Sequence, residues 1–230
     1  MTRRATKVVW VGSVALIGAV VATAVVTMAR HRAEDRRALG ALIEAGKTSR
    51  QRNDAKVVEL KGRMEQLGLD GYLTAPRLAS TDGLKEGRAA LVRYRELLAE
   101  REHLLDEVSA QSNALLVGLP RGRTRDDALL AQAISPPGSA EVRRRLSIAM
   151  AANADAVQAI FDWVGRNQRY VHARGDQLLI EGQPRIAELD GLEYTLQDSG
   201  KAVQEAMTAA KKLENQSSQA MDSLRRDMDR

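Results

Sequence analysis

Beyond residue 38, apolar side chains return at alternating spacings of three and four, and that period limits what the chain can become. Such spacing puts apolar groups on one stripe of an α-helix, whereas a half-buried strand needs alternation by two. Leu39, Ile43, Val57, Leu60, Met64 and Leu67 share one register. Gly46, Arg50 and Asn53 hold its intervening core positions, so the middle of this helix is expected to be loosely held. Gly68, Gly71 and Pro76 are expected to end it. A second stripe follows the N-cap cluster Ser80-Thr81-Asp82 and runs through Leu84, Leu91, Tyr94, Leu98, Leu105, Val108 and Leu115. Leu97 and Leu104 widen that face, and Gly118 and Pro120 stop the helix.

A third stripe, behind Ser139 as a cap, contains Val142, Leu146, Met150, Asn153, Val157, Ile160 and Val164, with Phe161 and Trp163 near its far end. The last segment opens at Pro184, which suits a first helical position. It carries Ile186, Leu189, Leu196, Val203, Met207, Ala210, Met221, Leu224 and Met228, interrupted by Glu193, Gly200, Glu214 and Ser217. Between these two stripes the texture changes. Tyr170-Val171-His172 and Leu178-Leu179-Ile180 flank Gly175-Asp176 and read as a small β-hairpin over 169–181, with a helical continuation as the alternative. The expected body is all-α: an elongated antiparallel bundle of about four long helices, approximately 30–68, 81–117, 139–168 and 184–229, with the hairpin before the last helix.

Ahead of this body, Val8–Ala29 carries no charge and no proline. A bilayer core of about 30 Å needs roughly 20 helical residues, so the run is long enough to span. Arg3, Arg4 and Lys7 precede it, Trp10 sits at its first boundary, and Arg30, Arg32, Arg36 and Arg37 follow it; these are the expected membrane-interface residues. Ala22-Thr23-Ala24 fits a signal-peptide cleavage pattern, but that reading needs an apolar core ending at Val21, and the run continues past it. The division expected is a tail at 1–7, a transmembrane helix at 8–29 and a helical body at 30–230. The cations on the two sides of the span nearly balance, so the orientation with the tail inside and the body outside the cytoplasm rests on the short cationic tail. Ala15, Gly18, Ala19 and Ala22 form a strip of small residues that would let two membrane helices approach closely.

The chain has no cysteine, which excludes disulfides, thiol nucleophiles and cysteine-ligated metals. Its charge of +5 suggests an anionic partner until it is located. Residues 1–37 hold seven Lys or Arg and two acids, leaving 28 of each sign in the remainder. The basicity therefore belongs to the flanks of the apolar run, and the body gives no argument for nucleic acid. Residues 41–48, ALIEAGKT, match a relaxed phosphate-loop pattern, but they sit inside an amphipathic helix with no strand before them. Arg174-Gly175-Asp176 reads as a hairpin turn, and Asn215-Gln216-Ser217 as a sequon inside a helix. Arg121, Arg123 and Arg125, like Arg143-Arg144-Arg145, read as solvated cations with a lesser option of contact with anionic lipid or polymer.

Glu100, Glu102, Asp106 and Glu107 lie beside Arg95 and Arg101 and read as surface charge rather than an acid–base pair. His31, His103 and His172 are too scattered for a metal site or relay. No catalytic residue, cofactor-binding residue or metal ligand can be named. The expectation is a non-enzymatic, single-pass membrane-anchored scaffold or adaptor of the bacterial inner membrane, its body periplasmic. Its partners would be the bilayer, other envelope proteins and a second copy through the membrane or C-terminal helix. The alternative is a sensory or ligand-binding bundle with a pocket near Gly46, Arg50 and Asn53 and a separate signalling partner. An enzyme ranks behind both. An anchor followed by a helical rod also resembles, in topology, the inner-membrane spanins of phages.

Overall fold

The computed structural model describes Thr48, Asn53 and residues 55–117 and 139–228. Its elements in chain order are α1 (55–67), α2 (Leu69–Tyr72), α3 (Ala75–Leu78), α4 (Thr81–Val117) and α5 (Ser139–Asn167). A 3-10 turn (Gln168–Tyr170), β1 (Val171–Arg174), β2 (Gln177–Ile180) and α6 (Gln183–Met228) complete it. The described chain is thus a helical bundle with one small antiparallel sheet. The expected transmembrane segment lies outside the described residues, and among those described no helix is long and apolar enough to cross a membrane.

Two compact units divide the chain, and the boundary passes through the long helices rather than between them. The first comprises, among the described residues, Leu60–Glu100 and Arg145–Ala206. Its core gathers Leu84 and Leu91 of α4, Ala154, Val157, Ile160, Phe161, Trp163 and Val164 of α5, Leu189 of α6, Leu78 of α3 and Val171 of β1. Removing each large apolar side chain from water contributes about 1.5–3 kcal/mol.

Polar contacts fix the direction of the helices. Arg88 and Arg95 of α4 reach Asp162 and Asp155 of α5 at 3.1 and 2.7 Å. The numbers rise on one helix as they fall on the other, so the pair is antiparallel. Trp163 Nε1 donates to Glu188 Oε2 at 2.8 Å and Asn153 Nδ2 to Ser199 Oγ at 3.1 Å, which sets α5 antiparallel to α6 in the same way. Arg63 and Glu100 at 2.9 Å bring the end of α1 back along α4.

Small residues are buried on both helices, Ala149 and Ala156 on α5 and Ser199 and Ala206 on α6, with Ser199 Oγ accepting from Asn153 Nδ2. The seam expected on α6 is buried at Leu189, Val203 and Ala210, while Leu196, packed against the core, and Gly200, expected as an interruption, are half-buried. Ser199 and Ala206 add to that buried face without the apolar bulk that would mark them in a sequence pattern.

Gly68, with φ at +54°, ends α1 in the left-handed region that glycine tolerates. The segment after it was expected to break the helix and no more. It forms two single turns instead, and Pro76 lies within α3, in the first turn where a missing N–H costs nothing. Ser80 caps α4, its Oγ accepting from Gly83 N–H at 2.9 Å. Small boundary shifts appear elsewhere: Ser139 is the first residue of α5 rather than its cap, and α6 begins one residue before Pro184.

The hairpin pairs Val171 with Ile180 and Arg174 with Gln177, leaving a two-residue turn, Gly175-Asp176. Gly175 has φ +60° and no other hairpin residue has positive φ, the pattern of a type II′ turn with glycine first. Val171 anchors one end in the core, Leu178 and Ile180 pack against it, and His172 and Leu179 face outward opposite each other.

The second unit takes in, among the described residues, those before Leu60, Arg101–Val117, Ser139–Arg144 and α6 from Met207 onward. Leu104, Leu105 and Val108 of α4 and Ala210 of α6 are buried there. So are Asn53 and Arg101, and the Arg101 guanidinium bonds to the Glu102 carboxylate. Lys56 meets Glu107 at 3.6 Å and Arg143 meets Asp106 at 2.6 Å.

Candidate functional site

The residues that the sequence singled out at the membrane, Arg3, Arg4, Lys7, Trp10, Arg30, Arg32, Arg36 and Arg37, lie outside the described residues. So does the strip Ala15, Gly18, Ala19 and Ala22. Of the loosely held positions, only Asn53 is described, and it is helical and buried. Thr48, the last residue of the phosphate-loop lookalike, is helical and exposed. Arg174-Gly175-Asp176 forms the end of β1 and its turn, and Asn215-Gln216-Ser217 lies within α6.

The carboxylates considered for acid–base work are engaged in ion pairs: Glu100 with Arg63, Glu102 with Arg101, Asp106 with Arg143 and Glu107 with Lys56. Two of the three adjacent cations at 143–145 are engaged likewise, Arg143 with Asp106 and Arg144 with Glu141. His103 lies 3.5 Å from Glu107, and His172 lies 3.4 Å from Glu181. Among the described residues, no group of three or more His, Asp or Glu is gathered as a metal site would require.

Among the described residues of α6, Glu193 is a carboxylate with a shifted proton affinity. Partial burial pushes its carboxyl above the usual glutamate range, and the neighbouring charge of Asp190 adds to the shift. It was read as an interruption of the apolar seam, and its half-buried position agrees with that.

A shallow groove of about 270 Å³ runs between α1 and α4, floored by Leu67 and Leu97 and walled by Arg63, Gln66, Arg93 and Glu96. On its wall, Arg63 is already held by Glu100.

The most organised polar arrangement lies at the hairpin end of the first unit, and the sequence reading missed it. Tyr170 closes the 3-10 turn, and two guanidiniums lie over its ring: Arg185 at 3.6 Å from the centroid and Arg169 at 4.5 Å.

Further contacts hold Arg185 in place. Its Nε donates to Asn167 Oδ1 at 3.3 Å and its Nη1 to the Glu181 carbonyl at 3.1 Å. The hairpin closes beneath it, where Glu181 N–H donates to the Tyr170 carbonyl at 3.0 Å. Gln168 Nε2 ties the turn to the start of α4 through Thr81 Oγ at 2.8 Å. One signal for this end was present in the sequence. The stretch 168–182 is far longer than the roughly 2–8 residues that a turn between bundled helices needs.

Compared with known proteins, the chain matches no protein-family model, no curated protein and no solved structure.

Proposed function

We propose that the protein is a non-enzymatic scaffold or adaptor of the bacterial cell envelope. Val8–Ala29 anchors it in the inner membrane as a single span, and the helical body serves outside the cytoplasm as a docking surface. The observation that carries this reading is the repeated, register-specific ion pairing between long antiparallel helices. Arg88–Asp162 and Arg95–Asp155 recur at the same seven-residue step on both helices. Such rungs hold helices in one register and suit a body that positions partners more than one that reshapes around a substrate. Surface pairs of this kind contribute only about 0–1 kcal/mol each, so their value lies in specifying register rather than in stability.

The apolar run supplies the anchoring half of the proposal, and its partners are the bilayer, other envelope proteins and a second copy. Two measurements test it. Crosslinking and pull-down from native membranes is expected to return defined envelope proteins with the chain; recovery of the chain alone as a monomer overturns the scaffold reading. A cysteine introduced in the body is expected to react with an impermeant thiol reagent on intact spheroplasts. The chain has no other cysteine to confuse the signal, and labelling only after lysis reverses the orientation.

A further inference from the structure

On the helical faces of the first unit, arginine after arginine reaches a carboxylate. Arg63 meets Glu100, Arg77 meets Glu86, Arg88 meets Asp162 and Arg95 meets Asp155. At the hairpin end this compensation stops. Arg169 and Arg174 lie in the connection between α5 and α6, Arg166 in the last turn of α5 and Arg185 in the first turn of α6, and among the described residues none of the four has a carboxylate at ion-pair distance. Only Asp176 and Glu181 lie in the same stretch, and Glu181 already faces His172 at 3.4 Å. Arg166, Arg169 and Arg174 are exposed, whereas Arg185 is half-buried and aimed by its bonds to Asn167 and Glu181.

Stacking on Tyr170 removes freedom from two of these guanidiniums without neutralising either. A planar fork held in this way is prepared for bidentate binding of a carboxylate. On the outer face of the same hairpin, Leu179 is 44% exposed and sits opposite His172.

We propose that the hairpin end, with Arg169 and Arg185 stacked on Tyr170, Arg166 in the last turn of α5 and Arg174 at the turn end of β1, docks an acidic peptide segment of a partner protein. The proposal gives a chemistry to the docking role described above and rests on that reading for the existence of a partner. Charge complementarity selects an acidic occupant. The interspersed Asp176 and Glu181 favour a peptide over a lipid surface, because a uniform anionic plane meets these carboxylates with repulsion while a peptide can place a neutral or apolar residue against them.

The test uses the full chain in nanodiscs of neutral lipid, titrated with a short fluorescent peptide of alternating glutamate and leucine. Binding is expected, and it is expected to vanish near 1 M salt, where screening acts over about 3 Å. Arg166→Glu, Arg169→Glu and Arg174→Glu are each expected to weaken binding about three- to tenfold. Arg93→Glu makes the same change of charge at another exposed arginine, on the wall of the α1–α4 groove, and is expected to leave binding unchanged.

Three results overturn the proposal: no binding of the peptide, equal weakening by Arg93→Glu, or complete competition by phosphatidylglycerol vesicles that the three hairpin variants also abolish. The last would assign the surface to anionic lipid. Failure here with partners still recovered from native membranes removes the hairpin surface alone, whereas recovery of no partner removes the scaffold reading itself.

Discussion

Gly87 lies where α4 meets the ring of Phe161. A methyl group there would stand 2.8 Å from Phe161 Cζ and 3.2 Å from Tyr72 Cβ, closer than packed atoms tolerate. Phe161 is fully buried and has no room to retreat. Alanine in mid-helix normally gains about 1 kcal/mol over glycine, and overpacking costs about 1–3 kcal/mol. Gly87→Ala is therefore expected to lower stability in urea unfolding despite the better helix propensity. Phe161→Ala empties the same site from the other side and is expected to cost about 3–5 kcal/mol. Glu193 gives a pH-dependent effect. Its carboxyl holds its proton more tightly in the folded state, so ionisation removes stability as pH rises past the unfolded value of about 4.3. Glu193→Gln is expected to match the parent at lower pH and to exceed it modestly at neutral pH, with the gap in unfolding midpoint opening through that range.

Among the elements, the hairpin was legible because Gly-Asp between two β-prone runs carries its own turn chemistry. Gly175→Ala places a side chain at φ +60°, where an L-residue loses about 1–2 kcal/mol. Faster hydrogen exchange at the Val171–Ile180 pair is the expected readout, with the amides of mid-α5 unchanged. The one-turn helices α2 and α3 were not legible. Four residues are too few to show a period, and the glycines and proline around them speak only for a break. The Tyr170 stack was hidden for a different reason. Arg169 is its sequence neighbour, but Arg185 arrives from the next helix, and only closure of the hairpin brings the two to one ring. On α4, the widened stripe at Leu97 and Leu104 marked buried residues, whereas Gly87 and Ala90 are buried without any apolar bulk to announce them.

For the molecule as a whole, the three-four period fixed that helices would form but left open which faces would meet, since every stripe can pair with every other. Opposite charges supplied part of the missing information, and only the structure shows which were used. The antiparallel register within the first unit makes a direct prediction. With no native cysteine, Arg95→Cys combined with Asp155→Cys is expected to be bridged efficiently by a short bis-maleimide. Arg95→Cys with Asp162→Cys, displaced by about 10 Å along α5, is expected to react poorly. Equal yields for the two pairs would refute the register. The Arg88–Asp162 and Arg95–Asp155 rungs have one more consequence, which concerns inheritance rather than stability. Because their spacing is a whole heptad on both helices, seven residues gained or lost in each of α4, α5 and α6 would carry every rung onto an equivalent position. A lineage could thus adjust the reach of such a body in steps of about 10 Å while keeping its pairing rules, much as a ladder is extended by whole rungs.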